Sequence, residues 1–441
     1  MERQQPELLE KIRQQYETSP YPQAALDDSP KDNLNALFMH SLVTSYYLRY
    51  QKVIETKDKV ILDAGCGSGW KSLMLAEANP GAKIVGIDIS EESVKLSRYR
   101  LEHHGFDNVE FHTLSIYDLQ SLGMEFDYIN CDEMLYLLPD PVAALKVMKS
   151  VLKPEGIIRT NLHSALQRSG FLRAQKLFQI MGLTESNPGD LEVEIVLETM
   201  KALKDGIDLK AKTWNPNFEK EDTKQSVLMN YLLQGDNGFI IPQMFDMLQK
   251  SDIEFISMVN WRLWEVTDLF KEPENLPIFL GMNLPELDIE QRLHLFELIH
   301  PINRLLDFWC GHPKQGELDI PISQWSNSDW LNGKVRLHPQ LQNPKVKEDL
   351  IECVEKQQNF EISKYITLPA AMPIYLESTV AACLLPLWHG VQPISAIVQR
   401  WCETKPKHPV TLEPVSQEEA WDEVTKLLSK LEVFLYILLE P

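Results

Sequence analysis

Val60-Ile61-Leu62-Asp63-Ala64-Gly65-Cys66-Gly67-Ser68-Gly69-Trp70 is the stretch that decides the fold. A buried-strand run of apolar residues ends in an acid and turns at once through Gly65, Gly67 and Gly69. Glycine lets the backbone turn sharply and come close to a ligand with no Cβ in the way. Outward from this loop, KIVGID (83–88), NVEFHTL (108–114), FDYINCD (126–132) and GIIRTNL (156–162) have strand length and composition. Helical stretches separate them, among them EESVKLSRYRLEHHG (91–105) and PVAALKVMKSVLKPEG (141–156). Such alternation implies a parallel sheet covered on both faces, with ligands outside the carboxyl ends of its strands.

The spacing narrows the ligand. Dinucleotide loops read G-x-G-x-x-G and need a small last residue for close helix packing, and here that position is Trp70, which argues against NAD. The sequence instead resembles the class I S-adenosylmethionine-dependent methyltransferases, whose first motif, (D/E)-x-G-x-G-x-G, is matched by Asp63, Gly65, Gly67 and Gly69. The resemblance implies a Rossmann-like fold in which the loop, with Cys66, passes beside the methionine part of S-adenosyl-L-methionine. It also implies that Asp88, followed by Ile89 at the end of the second strand, takes both ribose hydroxyls. A carboxylate suits that task because it is acceptor-only and can take two donors. Ser115 stands where an Asp commonly reads the adenine amino group, a departure that leaves that bond to a hydroxyl, and the backbone of Ile116 bonds the ring. Cys131, Asp132 and Glu133 fall in the segment lining the reacting centre, with Tyr136 just after. The resemblance covers about residues 55–165 in order and spacing.

Methyl transfer from a sulfonium is an in-line displacement in which the protein mainly aligns an uncharged nucleophile, helped by a carboxylate that takes a proton from an attacking amine and by aromatic faces near the positive sulfur. Asp132, Glu133 and Tyr136 are the candidates on the sheet. QQYETSPYP (14–22) resembles a Tyr-acidic-x-x-Pro-Tyr-Pro segment of bacterial protein-methyltransferase-like families and implies a strap that lays Tyr16 and Tyr21 across the cofactor; the alternative is a helix break with aromatic packing. The Asn-Pro-Pro-Tyr signature of amide and nucleobase N-methyltransferases is absent, with Asn130-Cys131-Asp132-Glu133 in its place. Near the C-terminus, Leu384, Leu385, Leu387 and Gly390 resemble the regulatory domain of bacterial lysine methyltransferases, while Trp388 and His389 depart from its turn; an ordinary helix-turn-helix is the alternative.

The chain of 441 residues exceeds the size of a single core and carries a formal net charge of −21, which argues against nucleic acid as a general partner. Six scattered cysteines without a C-x-x-C pair fit reduced thiols in the cytoplasm, and Cys310 with His312 lacks a second ligand pair for a metal. Ser378–Gln399 has no Asp, Glu, Lys or Arg, but its prolines, Gly390 and polar side chains predict a buried helix, a turn and a second helix rather than a membrane span. The polar N-terminus predicts no export signal. The expected layout is an N-terminal helical strap (1–55), a methyltransferase domain (56–265) with a helical insertion at about 165–235, and a mainly helical C-terminal domain (266–441). Within that C-terminal domain, 289–310 reads as one long apolar-periodic helix. The expected activity is methylation of a side-chain nitrogen on a protein, with S-adenosyl-L-homocysteine as by-product. The alternatives are a small-molecule methyltransferase with a helical lid and a catalytically silent cofactor-binding scaffold.

Overall fold

The computed structural model describes the chain apart from residues 1–3, 19, 220–222, 317–319 and 409; Ser19, inside the expected strap, and 220–222, inside the expected insertion, thus lie outside the described residues. Helix α1 (Gln4–Thr18) ends ahead of Pro20 and Pro22, neither of which can supply an N–H to continue it. Helices α2 (Leu34–His40) and α3 (Leu42–Tyr50) are buried from several sides, with polar His40, Thr44, Ser45 and Arg49 buried among their apolar residues.

The sheet starts at β1 (Val60–Ala64), which leads through the glycine loop into α4 (Trp70–Ala78). It continues with β2 (Lys83–Asp88), α5 (Glu91–His103), β3 (Val109–Thr113), β4 (Phe126–Cys131), α6 (Pro141–Ser150) and β5 (Leu152–Ser164). Helix starts carry local stops for their free N–H groups: Ser90 accepts from Ser93 N at α5, and Asp140 accepts from Ala143 N at α6, where Pro141 fits the first turn. Strand order is β3-β2-β1-β4-β5, all parallel, and it reverses direction between β1 and β4. A crevice opens at such a switch point beyond the strand ends, where Ala64, Asp88 and Cys131 sit.

Beyond β5 come α7 (Ser169–Ile180), α8 (Asp190–Ala202), α9 (Asp208–Thr213) and α10 (Lys224–Tyr231), which bury a small core of their own around Phe178, Val196, Met200 and Tyr231. The chain returns through β6 (Gly238–Phe239), paired to the end of β5, then α11 (Ile241–Lys250) and β7 (Glu254–Met258). After α12 (Ile278–Asn283), the expected long helix is in fact two elements. Helix α13 (Ile289–Ile299) stops before Pro301, and β8 (Leu305–Gly311) runs antiparallel between β5 and β7. The expected boundary at 265/266 therefore cuts through the sheet, because Leu306, Phe308 and Cys310 are core residues of its face.

The remaining chain comprises α14 (Asn327–Asn332), β9 (Lys334–Leu337), α15 (Pro344–Glu355), β10 (Phe360–Glu361), β11 (Tyr375–Leu376), α16 (Ser378–Leu384), β12 (Gln392–Pro393), α17 (Ile394–Thr404), α18 (Gln417–Glu432) and β13 (Ile437–Glu440). Among the described residues these helices pack with a three-stranded sheet ordered β12-β9-β13. Among the described residues no helix is long and apolar enough to cross a membrane, and 378–399 folds as helix, turn and the start of a second helix. The expected strap of 1–55 is only partly a strap. Phe38, Val43 and Tyr47 belong to the core of the C-terminal unit, and Tyr47 Oη bonds Leu439 O at 3.1 Å and Leu439 N at 2.8 Å.

Candidate active site

A partly open, mainly apolar cavity lies at the switch point. Its walls include Gly65, Cys66 and Gly67 from the loop, Asp88 and Ile89 from the end of β2, Ser115 and Ile116 after β3, and Asp132 and Glu133 after β4. Tyr16 and Tyr21 close it from the N-terminal segment, together with Leu9 and Ile12 of α1. Four expected residues do not reach it. Asp63 is buried beneath the loop, where it accepts from Ser72 Oγ (2.6 Å) and Asn130 Nδ2 (2.9 Å); burial pushes its carboxyl up to about 6 against those bonds. Gly69 caps α4 at φ +80°, and a Cβ there would stand 2.6 Å from Ser97 Cα. Cys131 is fully buried within β4, its thiol pushed up to about 12 by burial. Tyr136 is buried behind the Glu133 side of the site and stacks on His163, ring centroids 3.7 Å apart.

The loop and the strap are fastened to each other. Tyr21 O accepts from Ser68 N at 2.9 Å, and an ideal Cβ on Gly67, at φ +53°, would lie 2.1 Å from that oxygen. Arg100, buried on α5, donates to Ser68 O (2.9 Å), Ala25 O (2.7 Å) and Ala24 O (2.8 Å). Trp70 does not block the crevice; its ring lies 5.8 Å from the Arg100 guanidinium carbon. Cys66, buried beside Ser97 Oγ at 3.4 Å, has its thiol raised well above its usual range by burial, so it is a packing residue rather than a nucleophile.

Asp88 Oδ2 accepts from Gly67 N (3.0 Å) and Oδ1 from Ser90 N (2.9 Å). Burial raises its carboxyl, and the backbone N–H groups oppose that rise. With the Ile89 N–H also turned toward it, the carboxylate still has acceptor capacity left. Ser115 Oγ accepts from Tyr117 N at 3.3 Å and likewise keeps one lone pair and its proton.

Asp132 and Glu133 differ in character. Burial would raise Asp132, but Arg159 (3.6 Å) and Lys71 (2.6 Å) outweigh it and hold the carboxyl well below the usual range. An anion stabilised this strongly is a poor proton acceptor. Glu133 adopts φ +56°, rare for a side-chain-bearing residue, and its N–H donates to Asn161 Oδ1 at 2.9 Å. Its carboxylate pairs with Arg304 Nη2 and hydrogen-bonds Tyr21. Tyr21 is pushed up to about 12, by burial first and by Glu133 next, so it stays a neutral donor. The Arg304 side chain is 45% exposed against 19% for Glu133, which marks the side on which the carboxylate opens to solvent. Sequence reading missed Lys71, Arg304, Arg159 and His163. Lys71, one residue past the Trp70 of the quoted stretch and on the first turn of α4, was the findable one. Among the described residues no cluster of His, Cys, Asp and Glu could hold a metal ion.

Residues 55–224 match a family described as a methyltransferase domain. An uncharacterised protein of Synechococcus sp. is 26% identical over 334 residues, 72% of this chain and 73% of that protein. A ubiquinone biosynthesis O-methyltransferase of Actinobacillus pleuropneumoniae is 34% identical over 105 residues, 23% of this chain and less than half, 44%, of that protein. Among solved structures, PKMT2 from Rickettsia typhi in complex with AdoHcy superposes with a TM-score of 0.57 over 95% of this chain and 76% of that one at 17% identity, a likeness of fold.

Proposed function

We propose that this chain, an S-adenosylmethionine-dependent methyltransferase with a Rossmann-like class I domain, methylates a side-chain nitrogen of a protein substrate. The cavity suits the cofactor part by part. Asp88 has acceptor capacity left for a ribose diol, and Leu114, Ile116 and Leu138 offer apolar surface to a purine. Lys71 and Asp132, of opposite charge on the glycine-loop side, match an α-carboxylate and an α-ammonium. Gly65 and Gly67 let the loop pack tightly under Met134 and the Tyr21 carbonyl, which leaves its backbone lining the space for the chain between them. When bound, the cofactor supplies an electrophilic methyl group on a sulfonium. The protein's own residues then orient the acceptor, exclude water and receive its proton.

The observation that carries the nitrogen reading is Glu133: an acceptor-facing carboxylate between the Tyr21 hydroxyl and an exposed cation, in a chain of net charge −21. Arg304 grips Glu133 Oε1 and so orients the carboxylate, whose cavity side would draw a substrate ammonium and take the proton that makes the amine nucleophilic. A negative surface favours approach of a lysine-bearing partner. The likeness to PKMT2 runs through the C-terminal half, whereas the O-methyltransferase similarity is confined to 105 residues. A second reading, a small metabolite enclosed beneath α1, is favoured by the apolar cover that Leu9 and Ile12 provide. Incubation with tritiated-methyl donor and cell lysate separates them: label on a protein band supports the first, and label only in solvent-extractable compounds supports the second.

If Asp88 holds the ribose, Asp88→Ala will weaken S-adenosylhomocysteine binding by about 1.5–3 kcal/mol, the range for hydrogen bonds to a charged group. Calorimetry reads this directly, and unchanged affinity would remove Asp88 from the cofactor site.

A further inference from the structure

A chain of polar groups leads from Glu133, through the exposed Arg304, to buried His163 and Asp236 and so into the helical insertion. Arg304 donates from Nη2 to Glu133 Oε1, and its Nη1 lies 3.2 Å from His163 Nε2. A guanidinium has donors only, so Nε2 must be the acceptor and carries no proton. The proton of the neutral ring then sits on Nδ1, 2.7 Å from Asp236 Oδ1. Asp236 is fully buried, and its other oxygen takes Gln175 Nε2 at 2.9 Å and Arg168 Nη2 at 3.4 Å. The stacked Tyr136 ring holds the imidazole plane. The links come from the turn after β4, the lead into β8, the end of β5, the return of the insertion and α7.

We propose that His163 is a positioning residue: as a neutral imidazole anchored on Asp236 it holds Arg304 against Glu133, and so ties the acceptor-facing carboxylate to the docking of the insertion. The inference rests on Glu133 facing the acceptor. Protonation of Nε2 would set N–H against N–H and cation against cation, and Arg304 would leave Glu133. The groups facing the ring are Asp236, Arg304 and Tyr136, with Arg168 and Glu133 behind them. Burial disfavours the imidazolium, Asp236 favours it, and the two arginines disfavour it, which places the transition below the ordinary histidine range.

The test uses the full chain with ¹⁵N-labelled histidine and long-range ¹H–¹⁵N correlation, with the His163 signals assigned by their loss in His163→Gln. The expected result is the Nδ1–H tautomer at neutral pH, a titration midpoint that rises in Arg304→Met because a like charge is gone, and one that falls in Asp236→Asn. In the tritium assay at excess donor, wild-type turnover should fall toward acid with the same midpoint. His163→Phe should lose about tenfold in kcat, an effect of about 1.4 kcal/mol. His163→Gln, which keeps an acceptor for Arg304, should recover part of that loss without the limb at the His163 midpoint. S-adenosylhomocysteine binding, read by calorimetry, should be the same in all three and reports intact folding. An Nε2–H tautomer, a midpoint indifferent to Arg304, or an unchanged acid limb in His163→Gln would each overturn the inference. Label on metabolites rather than protein would change the substrate reading and leave the tautomer result standing.

Discussion

Gly67→Val is expected to weaken S-adenosylhomocysteine binding at least about a hundredfold. The position sits at φ +53°, where a side-chain-bearing residue is strained by about 1–2 kcal/mol. The larger obstacle is the Tyr21 carbonyl oxygen, 2.1 Å from where a Cβ would stand. That oxygen belongs to backbone and accepts from Ser68 N, so it cannot swing aside as a flexible side chain would. Either the strap or the loop must retreat, and the hydrogen bond between them is lost for roughly another 1 kcal/mol. Together these approach the ~2.7 kcal/mol of a hundredfold change. Because the collision begins at Cβ, Gly67→Ala should be nearly as damaging, whereas a clash with ligand alone would spare alanine. Calorimetry with both variants, beside a thermal melt to confirm folding, checks this; affinity within about fivefold of wild type for either would mean that strap and loop are not in register as described.

From the sequence the loop glycines read as clearing room for a ligand, whereas Gly67 clears room for the Tyr21 carbonyl, and the difference shows what a single sequence can carry. Strand runs, the glycine turn and the strand-end acid are local patterns, so the sheet from β1 to β5 and the cavity residues from Gly65 to Ser115 could be read directly. What Gly67 faces, in contrast, depends on a strap that returns from far upstream. The same holds for Arg304 on Glu133 and for Asp236 on His163, pairs made across the sheet with no spacing to betray them. Periodicity failed where burial is complete. Residues 289–310 look continuous because an inner strand and a buried helix are both apolar runs, and only Pro301 hints at the break between α13 and β8. Asp63 misled for a related reason: it belongs to the motif and yet supports the loop from below, through Ser72 and Asn130.

Arg159→Met should destabilise the fold by about 3–5 kcal/mol at neutral pH, the usual consequence of leaving a buried charge without its partner. Arg159 is 2% exposed and bonds Asp307 at 2.6 and 3.1 Å, Asn130 Oδ1 at 3.1 Å and His40 Nε2 at 3.1 Å, with Asp132 at 3.6 Å. With Lys71 it balances two carboxylates by two cations. Methionine fills the space but leaves Asp132 and Asp307 sharing one lysine. In the wild type, Asp132 titrates below its unfolded value, so its contribution is present above about pH 4 and disappears only as pH falls through the folded value. Burial already lifts Asp307 above its ordinary value with Arg159 opposing the rise; in the variant that opposition is gone, so burial and mutual repulsion raise a folded carboxylate further, it folds protonated, and the penalty grows as pH rises above the unfolded value. The deficit against wild type should therefore be smaller at pH 5 than at pH 8 in urea unfolding. The double change Arg159→Met with Asp307→Asn should recover part of it, since one of the two stranded charges is then gone. An equal deficit at both pH values, or no recovery in the double variant, would show that Arg159 acts there by filling volume and not by offsetting the charges of Asp132 in the cavity wall and Asp307 behind it.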